Sequence, residues 1–286
     1  MKVGVIGAGA WGTALAITAA RGGADVVLWS YDGECGHFDG VEMPDEVHIT
    51  KEMSELKSRE VWLIATPAAF FRNTLKNCRL YYNAQPIIIC TKGAESATGD
   101  FMSEILRTEL PECGEYGVLS GPQFAAEVAR GVPTGSTLAG TAGARAAGRV
   151  VLSKLYLSES DDVIGTELCG VGKNAVALIC GYNSVKTGEN ERAMLFTRAW
   201  GEIVDMGHAM GAETRTFLDL CGIGDLFLSA TSYTSRNFSG GAAIARGEEI
   251  VGTVEGIFAL GGLVKRAEKI GVKTPVLCQM KGILNI

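Results

Sequence analysis

The feature that most constrains this chain is its first dozen residues. Lys2-Val3-Gly4-Val5-Ile6 reads as a short buried strand, Gly7-Ala8-Gly9-Ala10-Trp11-Gly12 as a glycine turn, and Thr13-Ala14-Leu15-Ala16-Ile17 as the body of a helix. Strand, glycine turn and helix in this order form a dinucleotide-binding unit. Gly7 permits the tight turn, Gly9 lets the backbone approach a pyrophosphate, and Gly12 lets helix and strand pack closely. The helix start, with Ala10 and Trp11, then offers N–H groups and a positive dipole end to phosphates. Glycine makes up 38 of the 286 residues, so the string alone is weak. Its position between a strand and a helix gives it weight.

The length suggests two domains, and a hydrophobic fraction of 47% supplies ample core. A net charge of -6 argues against nucleic-acid binding. The cysteines at 35, 78, 90, 113, 169, 180, 221 and 278 include no C-x-x-C pair, and several lie in apolar runs. They read as buried thiols in a reducing compartment, so a cytoplasmic location is expected. His37, His48 and His208 make no zinc motif, and no metal is expected. No apolar stretch is expected to reach membrane-spanning length.

The first half alternates strands with helices. Strands are expected at 25–29, 60–65, 86–90 and 116–119, all apolar without alternation, as in strands covered on both faces. The fold class is α/β: an N-terminal doubly wound Rossmann-type sheet followed by an all-helical domain. The expected domains are 1–162, binding the dinucleotide, and 163–286, binding the substrate. Thr66-Pro67, Lys92 and Ser120-Gly121 fall at carboxyl ends of strands, where ligands gather in such sheets. In the second half, helices are expected over 171–185, 192–210, 214–228 and 254–270, with a polar patch at 231–241.

Hydride transfer to a carbonyl needs a proton donor beside the oxygen. A lysine whose pKa is lowered by burial suits that role. Lys173, inside the apolar run Gly170 to Leu178, is the candidate; a snorkelling surface lysine is the other reading. Asn174 beside it is either a site residue or a surface residue. Asp225, between Gly224 and Leu226, either orients Lys173 or bonds a substrate hydroxyl, or is a helix N-cap. Lys92 either holds an anion or is an ordinary strand-end lysine. Ser235-Arg236-Asn237 has the makings of a phosphate clamp, or is a solvated loop.

Taken together and in order, these strings resemble the bacterial-type NAD(P)-dependent glycerol-3-phosphate dehydrogenases. The resemblance rests on Gly7 to Leu15, Cys90-Thr91-Lys92-Gly93, Ser120-Gly121-Pro122 with Phe124-Ala125 and Glu127, Gly172-Lys173-Asn174, Gly224-Asp225-Leu226, Ser235-Arg236-Asn237 and Val254-Glu255-Gly256. It implies reversible reduction of dihydroxyacetone phosphate to sn-glycerol 3-phosphate with NAD or NADP, supplying the backbone for phospholipid synthesis, by a homodimer. It implies that Lys173 is the proton donor and acceptor, with Asp225 beside it in the catalytic pair. Lys92, Gly121, Gln123, Asp225, Ser235, Arg236 and Asn237 are implied substrate contacts. Gly7, Gly9, Ala10, Trp11, Gly12, Tyr31, Lys92, Ala125, Arg236 and Glu255 are implied cofactor contacts.

Several positions depart from the family pattern. Ala10 stands where serine is common, Gln123 where a small hydroxyl residue is common, and Thr253 where valine is common. The segment after Asp32 is short, and the chain stops soon after Thr274-Pro275, where a final helix is expected to be lacking. Trp29-Ser30-Tyr31-Asp32 gives neither an acid at the strand end nor a nearby arginine, so the residues leave NADH against NADPH open, with Asp32 one step late. Two other readings compete with this one. A β-hydroxyacid dehydrogenase of the 6-phosphogluconate type would place Asn four residues after the lysine, but position 177 is Ala. A dinucleotide sensor without chemistry would have no need of Lys173, Asp225 and the Arg236-Asn237 pair.

Overall fold

The apolar runs of the first half become strands buried on both faces. In the computed structural model, which describes residues 1–250 and 252–286, the first unit comprises Met1–Lys92, Met102–Leu119 and Gln123–Val163. Its elements are β1 (Lys2–Ile6), α1 (Ala10–Arg21), β2 (Asp25–Trp29), β3 (Val47–Thr50), β4 (Val61–Ile64), α2 (Ala68–Cys78), β5 (Ile87–Ile89), α3 (Met102–Glu109), β6 (Tyr116–Ser120), α4 (Ala125–Arg130), β7 (Gly135–Gly140), α5 (Ala142–Val151) and β8 (Tyr156–Ser160). The eight strands lie in the order β3-β2-β1-β4-β5-β6-β7-β8.

β1 to β6 pair in parallel, and β7 pairs in parallel with β8. Thr141, just past β7, donates its N–H to the Tyr116 carbonyl at the start of β6, and Gln123, just past β6, bonds Ser136 near the start of β7. β7 therefore runs against β6, and the sheet is mainly parallel. Alternate residues feed two cores. Val3, Val5, Val26, Leu28, Val61 and Leu63 join one cluster, while Ile6, Val27, Trp29, Trp62 and Ile64 join the other. Burial on both faces explains why these strands show no alternation in sequence.

Sequence pattern does not anticipate β3, β7 and β8. β7 (Gly-Ser-Thr-Leu-Ala-Gly) is small and hydroxyl-rich, yet Ser136 and Thr137 are buried; β8 carries Ser-Glu-Ser and lies at a sheet edge. Neither shows the apolar run by which the inner strands announce themselves.

The second unit comprises Gly93–Phe101, Ser120–Pro122 and Ile164–Ile286. Its helices are α6 (Val163–Lys186), α7 (Glu189–Ala209), α8 (Thr214–Phe217), α9 (Asp225–Ala230), α10 (Arg236–Arg246), α11 (Glu255–Ile270) and α12 (Pro275–Leu284). α6 runs through the core, and a Cβ on Gly181, Gly241 or Gly256 would fall 1.9, 2.2 or 2.5 Å from a backbone carbonyl oxygen of the facing helix. Those glycines let α10 and α11 pack directly on α6.

The structure corrects four expectations. α6 is long and apolar enough to cross a membrane by composition, but 83% of that window is buried inside the protein. The helix expected over 214–228 is broken: a π-turn (Leu220–Gly224) separates α8 from α9, with Gly222 at φ -88° and ψ -108° and no room for a Cβ against the Phe217 carbonyl. The polar patch at 231–241 contains the start of α10, because Ser235 caps it by accepting from the Phe238 N–H. A helix, α12, does follow Thr274-Pro275, proline standing at its first position.

Candidate active site

In the first unit, the glycine turn builds the cradle the sequence promised. Gly7 has φ +107°, a conformation that side chains disfavour, and its N–H bonds the Trp29 carbonyl at 3.1 Å. A Cβ on Gly12 would strike the Gly7 oxygen at 1.8 Å, whereas nothing lies within 4 Å of one on Gly9. The turn is tight where helix meets strand and open where a pyrophosphate needs the backbone. α1 has no acidic residue in its first turn to repel that anion. The residues present therefore fit a dinucleotide.

Trp11, at the start of α1, donates its indole N–H to the Cys90 carbonyl at 3.1 Å. That bond ties the glycine turn to the end of β5, where Lys92 stands two residues on. The hydroxyl of Thr91 bonds the Thr66 carbonyl at 2.7 Å, fixing the same corner to the end of β4. Tyr31 lies just past β2 and is 89% exposed. Ala125 is the first residue of α4. Gln123 turns its amide nitrogen to the buried Ser136 hydroxyl. Its longer side chain thus reaches a protein partner on β7.

In the second unit, every residue of α6 from Gly165 to Gly181 is buried except Lys173. Its side chain is 13% exposed and does not snorkel: Nζ lies 3.0 Å from Asp225 Oδ1 and 2.9 Å from Ser229 Oγ. The Ser229 hydroxyl in turn lies 3.3 Å from the same carboxylate oxygen. Asp225 is 1% exposed. An ammonium is costly to bury alone and tolerable beside a buried acid, so the partner the apolar run of α6 did not display is supplied by α9. The kinked π-turn delivers Asp225 as the first residue of that helix.

A second network lies one residue along α6. Asn237 donates to Asn174 Oδ1 at 2.8 Å and accepts the Gly256 N–H at 2.8 Å; Asn174 donates to Glu255 Oε2 at 3.4 Å. Asn237 thereby caps the start of α11 and fixes Glu255 there. Ser235 caps α10, and Arg236 is its exposed first residue. Gly121 belongs to the turn 120–122, whose Pro122 ring lies 3.7 Å from where a Cβ on Gly224 would be, next to Asp225. Lys173, Asp225, Gly121, Ser235, Arg236, Asn237 and Glu255 thus belong to the second unit, and Gly7, Gly9, Ala10, Trp11, Gly12, Tyr31, Lys92, Gln123 and Ala125 to the first.

Ser229 escapes a reading of the sequence. Its signal is available: it stands four residues after Asp225, one turn along the same helix face. Asn174, left open by spacing, is buried and bonded on both amide atoms.

Comparison with known proteins identifies the family. Residues 2–146 match the family model of the NAD-dependent glycerol-3-phosphate dehydrogenase N-terminus, and residues 162–286 match that of its C-terminus. A glycerol-3-phosphate dehydrogenase [NAD(P)+] of Rhodospirillum rubrum is 38% identical, over 99% of this chain and 88% of its own length. That of Parvibaculum lavamentivorans is 37% identical, over 96% and 89%. The crystal structure of glycerol-3-phosphate dehydrogenase from Coxiella burnetii superposes with a TM-score of 0.90 at 29% identity, covering 99% of this chain and 94% of that one.

Proposed function

Because the chain belongs to the NAD-dependent glycerol-3-phosphate dehydrogenase family, we propose that it reduces dihydroxyacetone phosphate to sn-glycerol 3-phosphate, reversibly, with NADH or NADPH. The observation that carries the reading is the Lys173–Asp225–Ser229 cluster in an otherwise apolar helix. The reduced dinucleotide, held by Gly7, Gly9, Ala10, Trp11 and Gly12, supplies the hydride when bound.

The chain's own residues do the rest. Lys173 stands at the carbonyl oxygen of the substrate, where its ammonium stabilises the developing alkoxide and then gives it a proton. In the oxidative direction the same Nζ takes the hydroxyl proton. Asp225 and Ser229 fix the ammonium from one side, so its position is set before substrate arrives. Arg236 and Lys92 offer charge to the dianionic phosphate, and within the second unit Asn237 holds the start of α11 against α6. The product is a glycerol phosphate backbone for phospholipid synthesis. The reading includes a cytoplasmic homodimer, supported by the family resemblance and by six buried cysteines that form no disulfide.

Lys173→Met tests the assignment, because it keeps the length of the side chain and removes its proton. We expect kcat to fall by about 10²–10⁴-fold, with dinucleotide affinity unchanged. Turnover within a few-fold of the wild type would remove Lys173 from the chemistry.

A further inference from the structure

The family name leaves the choice between NADH and NADPH open, and the residues after β2 bear on it. The proposal rests on the dehydrogenase reading above. In dinucleotide sites of this build, an acid about twenty residues past the glycine turn takes the ribose 2′-hydroxyl, and a nearby arginine accommodates a 2′-phosphate. By linear position Asp32 is late, three residues beyond the last residue of β2. The structure corrects that impression. Asp32 Oδ1 accepts the Ser30 hydroxyl at 2.9 Å and the Glu34 N–H at 3.0 Å, and the Gly33 N–H bonds Ser30 Oγ at 3.1 Å. Ser30 itself is fixed to the sheet by its N–H bond to the Thr50 carbonyl at 2.8 Å. The turn folds back, and the Asp32 carboxylate returns to Ser30, the residue directly after the strand. Its bonds to the Glu34 N–H and the Ser30 hydroxyl hold it below the ordinary carboxyl range, so it is ionised at neutral pH.

The rest of the segment is just as one-sided. Residues 30–46 contain Asp32, Glu34, Asp39, Glu42, Asp45 and Glu46, and no lysine or arginine. They cross from β2 to β3 without a helix, and they lie against the cradle: the Gly36 N–H bonds the Ala8 carbonyl at 2.9 Å and the Thr13 hydroxyl at 2.8 Å. A Cβ on Gly36 would fall 2.9 Å from the Ala10 Cα. The short acidic segment is therefore packed onto the start of α1. At Asp32 a cation answers it: the Lys51 side chain lies over Gly33 and its charge acts on Asp32, while Arg21 lines a cavity with His37, Phe38 and Glu42 farther along the segment. A single ammonium so placed offsets part of the Asp32 charge and leaves Glu34 beside it.

We infer that this chain selects NADH, with Asp32 as the residue that accepts the ribose 2′-hydroxyl and repels a 2′-phosphate.

Binding of NADH and of NADPH to the whole protein, measured by calorimetry without substrate, tests the inference independently of turnover. We expect NADH to bind about tenfold or more tightly than NADPH. Asp32→Asn should shrink that ratio several-fold, chiefly by tightening NADPH, and Tyr31→Arg should shrink it further by adding a cation at the same strand end. Because both dinucleotides are measured on each variant, damage to the fold would weaken both and leave the ratio readable. Equal affinities in the wild type, or tighter NADPH, would overturn the inference and leave the dehydrogenase reading standing. Tighter NADPH that is lost in Lys51→Met would overturn it by assigning Lys51 to the 2′-phosphate. Failure of both dinucleotides to bind would overturn the dehydrogenase reading itself, and the inference with it.

Discussion

At the scale of single residues, the proposed site assigns different work to two cations. Lys173 is fixed by a buried acid and a hydroxyl, and Arg236 stands exposed at the first position of α10. The two should fail differently. Lys173 is assigned to the reacting oxygen, so its loss acts on kcat. Arg236 is assigned to the non-reacting phosphate, so Arg236→Ala should raise KM for dihydroxyacetone phosphate by roughly ten- to a hundredfold, the worth of a charge-assisted hydrogen bond. An unchanged KM would take Arg236 out of the substrate site. Both residues stand out in the sequence because charge inside an apolar run, or an arginine between small polar residues, contrasts with its neighbours. Ser229 does not stand out in this way: its one trace is the four-residue spacing from Asp225, which gains meaning only once Lys173 is seen to reach both.

At the scale of elements, what is legible depends on how each element is stabilised. β1, β2, β4, β5 and β6 are buried on both faces and announce themselves by composition. β7 draws on buried hydroxyl residues, and the break between α8 and α9 depends on how closely Gly222 approaches Phe217. Neither leaves a periodic trace. The start of α12 is of the same kind. Its Val276 and Leu277 N–H groups donate to the two carboxylate oxygens of Glu202 on α7, at 2.7 and 3.1 Å. A cap supplied from 74 positions away cannot be read from local sequence. Burial pushes the Glu202 carboxyl above its ordinary value of 4.5, while the two N–H groups pull it back. The folded chain thus keeps a proton there at pH values where the unfolded chain has lost it. Relative to Glu202→Gln, the wild type should gain stability as pH falls from neutrality toward 4.5, and lose it as pH rises. Glu202→Ala, which uncaps both donors, should cost about 1–3 kcal/mol. Chemical denaturation across that pH range checks both; parallel stability curves for wild type and Glu202→Gln would exclude the proton linkage.

At the scale of the molecule, the sequence divides its labour plainly: a mainly parallel sheet carries the glycine cradle, and a helical unit carries the lysine. Apolar α6, membrane-like in composition, is instead the core helix of that second unit, with Lys173 the one residue between Gly165 and Gly181 that is not buried. The same burial governs the thiols. Cys78 and Cys180 are pushed up to about 12 by loss of solvent, while Cys278 is exposed and Cys35 partly so. A thiol reagent should therefore label Cys278 first and Cys35 more slowly in the native protein, and reach the six buried cysteines only on unfolding. Rapid native labelling of more than two would show that the core opens readily. The decisive measurement of the reaction follows the absorbance of NADH and of NADPH with the purified protein, before and after addition of dihydroxyacetone phosphate. Oxidation that begins only with the substrate, and faster with NADH, is the predicted result. Dinucleotide binding with no substrate-dependent oxidation would contradict the assignment of the Lys173 cluster to catalysis.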